Sequence, residues 1–578
     1  MTETSTRAAS GPRFLDRVYA RTTARTRPPG GFVSQPEPRS VGSFAKGRQL
    51  LAGNFMFAGY LVEDQGGDIW SLTPPAPAFE AELHGFGWLD DLAAVADGPT
   101  RDKAQAWLWD WIARYGDGSG PGWTPDLTGR RVIRWINHAY FLLRGQEKPE
   151  QDAYFKALGH QTQFLHRRWK SARPGLPRFE ALCGLIYAGL SLNGFSDRVG
   201  PAQKALEREC ATEIDPQGGI ATRNPEELLE VFTLLTWAEA ALTDSARPLA
   251  DAHLAAIGRV APTLRTLRHA DGSLARFHGG GRGIEGRLDH ALASSGIKHR
   301  HPAGLSMGFA RLSAGRTSVI VDAAVPPKGA ASTAAHASTL AFELTSGRRA
   351  MIVNCGSGAS FGPDWQRAGR ATPSHSTLSL QGQSSARLGK PGRTGGEPLV
   401  DGPKNVPVRM TQAADGLRFQ AGHDGYVKSH GLTHARTLEL TADGRGMAGE
   451  DLLIAVEDAH KRRFDSALDA SLQGIPFQIR FHLHPEVEAQ LDLGGLAVSL
   501  ALKSGELWVF RHDGSGELRL EPSVFLEKNR LKPRATTQIV LSALAVEHAT
   551  RLRWSLSKAQ DTPISIRDLN RDGLDEAF

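Results

Sequence analysis

The hydrophobic positions of this chain follow two periods. From about Ala96 to about Gly283 apolar residues recur every three to four positions, the spacing of one helix face. Trp107, Trp111 and Tyr115 stack in this way, as do Val132, Ile136 and Tyr140, and again Phe179, Leu182, Ile186 and Leu190. Asn224 followed by Pro225 predicts a helix start with a side-chain cap, and a further helix is predicted within 247–267. Short Gly, Pro or Asp breaks predict consecutive helices packed antiparallel in a bundle or toroid. Beyond Gly283 the period drops to two. Segments such as STLAFELTSGRRAMIV and GELWVFRHDGSGELRL alternate apolar with polar residues around Ser-Gly and Asp-Gly turns, which predicts an antiparallel β-sandwich.

These patterns give an α+β multidomain chain, an N-terminal α/α toroid-like domain followed by a C-terminal antiparallel β-sandwich. Residues 1–42 are expected as a disordered basic arm, 43–285 as the helical domain, 286–558 as the sandwich and 559–578 as a polar tail. The helical domain opens on an irregular lead-in with closely spaced aromatics, among them Phe55, Trp70, Phe86 and Trp88.

Composition narrows the function classes. The net charge of +6 is thinly spread over 578 residues, without the dense basic tract of a nucleic-acid binder, though it suits an acidic polymer in a lined cleft. Three cysteines, none in a CxxC pair, argue against a disulfide framework or a zinc-thiolate site. No apolar run is long enough to span a bilayer. The N-terminal stretch has Arg21, Arg25 and Arg27 but no apolar core of a secretory signal, so the sequence by itself reads as cytoplasmic. Walker, Rossmann, HExxH and GxSxG motifs are all missing, which removes phosphate-transfer and serine-hydrolase chemistry.

Candidate chemistry concentrates between Ala334 and Leu380. His336 and His375 each open a short alternating run, so separate strands can bring them to one pocket, and His482 and His484 lie two apart on one side of a later strand. Histidines on sheet faces also simply hydrogen-bond to their neighbours. Arg223, after Gln217-Gly218-Gly219, is placed to meet a carboxylate at the rim of the helical domain, with helix capping as the alternative use of its neighbour Asn224. Arg276-Phe277-His278 and three following glycines are placed to line an interdomain cleft. The tryptophans at helical spacing read mostly as core.

The segments HASTLAFEL, RRAMIVNCG, DWQRAGRATPSHSTLSL, HDGYVKSHGLTHARTLEL and RFHLHP resemble the sandwich of heparinase II/III family proteins, and RRVIRWIN and LPRFEALCGLIYAGL resemble the helical toroid of the same polysaccharide lyases. The resemblance implies β-elimination on a uronate-containing acidic polysaccharide. Such a site must neutralise the uronate carboxylate, remove the C5 proton and protonate the departing oxygen. On that basis His336, His375 and Tyr426 are the proton-handling candidates, and Arg223, Asn224 and Asn137 the carboxylate-binding ones. A zinc, where the family holds one, falls to His336, Asn354 and His375, but a neutral amide is a poor zinc ligand. The family's tyrosine segment corresponds to Asn224-Pro225-Glu226-Glu227, which lacks the tyrosine.

A cell-envelope or periplasmic site of action is also implied by the resemblance. The alternative is a non-catalytic glycan-binding or envelope-assembly protein on a degenerate lyase scaffold. A glycoside hydrolase using Asp215 and Glu226 is a third reading.

Overall fold

The computed structural model describes residues 12–560 apart from 36, 65, 67, 300–303, 393–395, 472 and 529. Its helical half is a toroid whose inner wall contains three helices, Pro125–Asn137, Leu176–Ser191 and Pro225–Asp244. Each has proline in its first turn, where the missing N–H leaves no bond unmade. The three run parallel. Cys183 Sγ meets the Leu234 carbonyl and the Tyr187 hydroxyl donates to that of Trp237, so the second and third advance together.

The first two helices approach backbone to backbone. A Cβ added to Gly129 would lie 2.2 Å from the Glu180 carbonyl oxygen, and one added to Gly184 would lie 2.5 Å from the Gly129 Cα. Gly129→Val is therefore expected to push the wall apart and destabilise the protein by about 1–3 kcal/mol. A thermal melt checks this; an unchanged midpoint would mean that the two helices separate at no cost.

Outer helices Lys148–Arg168, Val199–Glu213 and Asp251–Leu267 return the chain between the inner ones. The tryptophans are core as expected: Trp107, Trp111, Trp123 and Trp135 are all but fully buried. Tyr140 is not on the face predicted for it. The helix stops at Asn137, His138 takes a non-helical conformation, and Tyr140 lies 71% exposed on a separate short helix, Ala139–Leu143. His138 is held out of line by Asp90, 2.8 Å from its Nε2.

The described part of the N-terminal arm also departs from the expectation of disorder. Phe14–Thr23 is a helix anchored by Asp16, which is buried against Arg168 at 2.7 Å. Ser34 then donates to the Leu190 carbonyl and Gln35 to that of Ile136, so adjacent arm residues satisfy the carbonyl ends of two inner helices. Contacts this distant in sequence leave no local signature. The tail beyond residue 560 lies outside the described residues.

The C-terminal half is a sandwich of two antiparallel sheets. Along Leu432–Thr441 burial alternates strictly, with Leu432, His434, Arg436, Leu438 and Leu440 all facing inward. The hairpin of Phe342–Ser346 and Arg349–Val353 turns at Gly347, which has a left-handed φ of 57°. Among the described residues no helix is long and apolar enough to cross a membrane.

Candidate functional site

Where toroid and sandwich meet, buried polar groups bring several of the singled-out residues together. Its centre is Asp322, at the end of strand Thr317–Asp322 and fully buried. Arg223 reaches it from the toroid. A left-handed φ of 50° just before the Pro225 helix turns Arg223 toward the sandwich, and its Nη2 donates to Asp322 Oδ1 at 2.6 Å. The same guanidinium donates to the carbonyls of Met307, Gly308 and Val325 at 2.9–3.0 Å. Ser338 donates to Asp322 Oδ2 at 2.7 Å, and His278 Nε2 stands 3.3 Å from the same oxygen. Burial by itself would raise the carboxyl, but Arg223 and His278 outweigh it and keep Asp322 well below the usual carboxylate range.

His278 links this carboxylate to the histidine pair. Its Nδ1 accepts the backbone N–H of His336 at 3.3 Å, and His336 Nδ1 lies 3.0 Å from His375 Nε2. His375 Nδ1 faces the Ala371 carbonyl at 2.9 Å and must carry the proton, because a carbonyl only accepts. His375 Nε2 is then the acceptor and His336 the donor. Burial pushes His375 down to about 4 and His336 well below its ordinary value, so both rings are neutral near pH 7. Neither is open to solvent: His336 is 2% exposed and His375 0%.

His482 is equally committed. It donates to the Pro373 carbonyl through Nε2 at 2.9 Å and accepts from Ser523 at 2.7 Å, and burial lowers it to about 3. His484 sits apart, its ring edge-on to Phe525.

The other candidates are distributed. Asn354 uses Oδ1 to accept from the Ser376 backbone at 3.0 Å and Nδ2 to reach Glu343. Tyr426 is buried, its hydroxyl donates to the Leu378 carbonyl at 3.1 Å, and burial raises its pKa. Asn224 caps its helix by accepting from the backbones of Glu226 and Glu227 at 3.0 and 3.2 Å. Asn137 lies at the C-terminal end of an inner helix, away from the junction where the Pro225 helix begins. Asp215 closes its own loop onto the backbones of Gln217 and Gly219, and Glu226 is paired with Lys528.

A zinc does not fit His336, Asn354 and His375. The two rings face each other through Nδ1 and Nε2, and both ends of the amide have protein partners. Among the described residues no three His, Cys, Asp or Glu side chains converge as a metal site.

A second buried group adjoins the first and was not singled out in the sequence. Arg436 grips Asp451 bidentately at 2.8 and 3.1 Å and extends Nη1 to the carbonyls of Leu340 and Ser376, beside His375. The Gly425 backbone donates to His423 Nδ1, which fixes its proton on Nε2. That proton goes to His434 Nδ1, and His434 Nε2–H goes to Asp451 at 2.7 Å. One proton arrangement satisfies the whole chain. The available signal was parity: in LTHARTLEL a histidine and an arginine occupy core-facing positions of a strand.

A toroid closed on a two-sheet sandwich is a polysaccharide-lyase scaffold, and the chain belongs to the heparinase II/III-like family. The model of the heparinase II/III-like C-terminal domain matches residues 296–555. The chain is 31% identical to the FtsZ-localized protein C of Caulobacter vibrioides over 546 residues, 93% of this chain and 92% of that protein. Among solved structures it is similar to heparinase III, with a TM-score of 0.69 and 12% identity over 94% of this chain and 89% of that one. A mutant of the heparan sulfate lyase HepC from Pedobacter heparinus aligns with a TM-score of 0.59 and 13% identity over 95% and 88%. At these identities the structural likeness establishes the fold.

Proposed function

We propose that this chain is a non-catalytic assembly protein on a lyase scaffold, and that it localises with FtsZ as the Caulobacter relative's name describes. The observation that supports this most directly is the state of the acid–base candidates. A lyase must present a base, an acid and a carboxylate-neutralising group to a polymer arriving from solvent. Here His336 and His375 are buried and bonded to each other, Tyr426 is buried against a carbonyl, and the Arg223 guanidinium is filled by Asp322 and three carbonyls. These groups are better suited to holding toroid and sandwich together than to meeting a uronate.

Two measurements test the reading. Incubation of the purified chain with a panel of uronate polymers is expected to give no ultraviolet-absorbing unsaturated product. Immobilised FtsZ is expected to retain the chain. Product formation that disappears in His336→Ala would establish the lyase reading instead, and failure to bind FtsZ would remove the assembly partner.

A further inference from the structure

On the sandwich, a cavity of about 270 Å³ opens between the helix Pro363–Arg370 and the paired strands Arg387–Leu388 and Leu399–Val400. Arg367 and Arg370 line it from the last turn of the helix and Arg387 from the strand, and among the described residues no carboxylate is in its walls. Arg370 is 4% exposed. Its Nε and Nη2 donate to the carbonyls of Ala335, Ser332 and Glu397 at 2.8–2.9 Å, which fixes the side chain. Nη1 has no acceptor among the described residues, yet it is not sealed from solvent. Burial lowers this guanidinium to about 10, a cost that Glu397 only partly offsets.

The other two arginines are loosely committed. Arg367 meets Glu397 at 2.7 and 3.1 Å and Arg387 meets Asp401, but the two arginine side chains are 59% and 65% exposed, and pairs so open to water hold weakly. Asp401 is moreover shared with Lys428 at 2.8 Å. Ser384, also in the wall, accepts the Thr372 N–H at 3.1 Å, which leaves its O–H to donate. The carbonyls at the helix end are already used. That of Ala368 accepts from Ser374, that of Arg370 from the Ala337 N–H and that of Ala371 from His375. The cavity therefore presents positive charge and donors to whatever enters, with Ala386, Leu388 and Leu399 as an apolar side.

From this convergence of Arg367, Arg370, Arg387 and Ser384 we infer that the cavity binds the phosphomonoester group of a small soluble ligand. Arg370 Nη1 donates to one phosphate oxygen from the buried side, and Arg387 and Ser384 reach the others. Three guanidinium groups and a hydroxyl supply more donors than the two oxygens of a planar carboxylate use, whereas a phosphomonoester offers three strong acceptor oxygens and close to two negative charges. The volume admits that group and a short organic remainder, which rests on Leu388 and Leu399. The site goes beyond the partner-binding reading above and does not depend on it.

Calorimetric titration of the full-length chain with inorganic phosphate and with glycerol phosphate is expected to show one saturable site for which the two compete. Arg387→Gln, at an exposed position where folding is not at risk, is expected to weaken binding about tenfold, the effect of one hydrogen bond to a charged group. Arg370→Met, which keeps the stem and removes the charge, is expected to abolish it, and Arg519→Gln, exposed on another strand, to leave it unchanged. The inference is overturned if no saturable heat appears up to about 10 mM phosphate, a concentration beyond any specific site of use. It is equally overturned if Arg387→Gln binds like the parent, or if sulfate or glucuronate binds as tightly as glycerol phosphate. Sedimentation with vesicles of phosphatidic acid and phosphatidylcholine separates a lipid source. Retention that Arg387→Gln removes would place the phosphate on a membrane and overturn the soluble ligand.

Discussion

The protein is expected to unfold in mild acid, between about pH 6 and pH 4, well before the buried carboxylates of Asp322 and Asp451 are protonated. His84, His375 and His482 are buried, and burial lowers them to about 3, about 4 and about 3. Each is held neutral by its contacts. His84 Nδ1, for instance, accepts from the Trp111 indole at 3.2 Å. In the unfolded chain a histidine titrates near 6.5, so below that pH the unfolded state takes up protons that the folded state refuses. At pH 5 this costs about 2 kcal/mol per histidine, or about 6 kcal/mol for the three, comparable with the whole stability of an ordinary domain.

The carboxylates act in a lower window. Asp322 and Asp451 are depressed in the folded state, so their contribution is complete above the unfolded value near 4 and is lost only as pH falls further. Circular dichroism across pH 7 to 3 checks the order of events. A native spectrum retained at pH 4.5 would mean that these rings accept protons in place.

Removing a single charge inside the sandwich is expected to have the largest mutational effect. Asp451→Asn keeps shape and volume but leaves the Arg436 guanidinium, fully buried, without its counter-charge. The His434 proton and the Trp554 indole N–H lose the same carboxylate, which they reach at 2.7 and 3.1 Å. Breaking one side of a buried pair typically costs about 3–5 kcal/mol. Denaturant titration reads it directly. The double variant Asp451→Asn, Arg436→Met is expected to recover part of the loss, since it no longer leaves a charge unpaired. Equal stability of the single variant and the parent would show that water reaches Arg436.

Much of this architecture is legible in the pattern of apolar residues. The change from helical to alternating period marks the passage from toroid to sandwich, although one more helix, Arg287–Ser294, follows Gly283 before the first sandwich strand, Phe309–Ala314, and Asn224-Pro225 starts a helix with the cap that the residue types suggest. What the pattern cannot carry is contact between distant segments. Arg223 looked like a rim residue because a guanidinium after a glycine pair suits an exposed loop. Its actual use depends on Asp322, 99 positions away. The histidine pair was read as a meeting of two strands; His336 and His375 do meet, but from loops that precede the strands Phe342–Ser346 and Leu378–Leu380. That they meet in the interior follows from the layers around them, which no local window contains. Asn137 was singled out for its amide, but it lies buried at the C-terminal end of its helix, away from the junction.

The parallel inner wall has an electrostatic consequence. Three helices that begin on the sandwich side direct three partial positive charges to one face, each equivalent to roughly half an elementary charge. In a scaffold built to hold a polyanion, that field would draw the ligand in. Here Asp126, Glu226 and Glu227 occupy the first turns themselves, and Glu180 follows in the second helix, beside Arg130. Carboxylates thus stand in the first turns of two of the three inner helices, where they meet the helix dipoles, while Lys528 and Arg130 pair with Glu226 and Glu180.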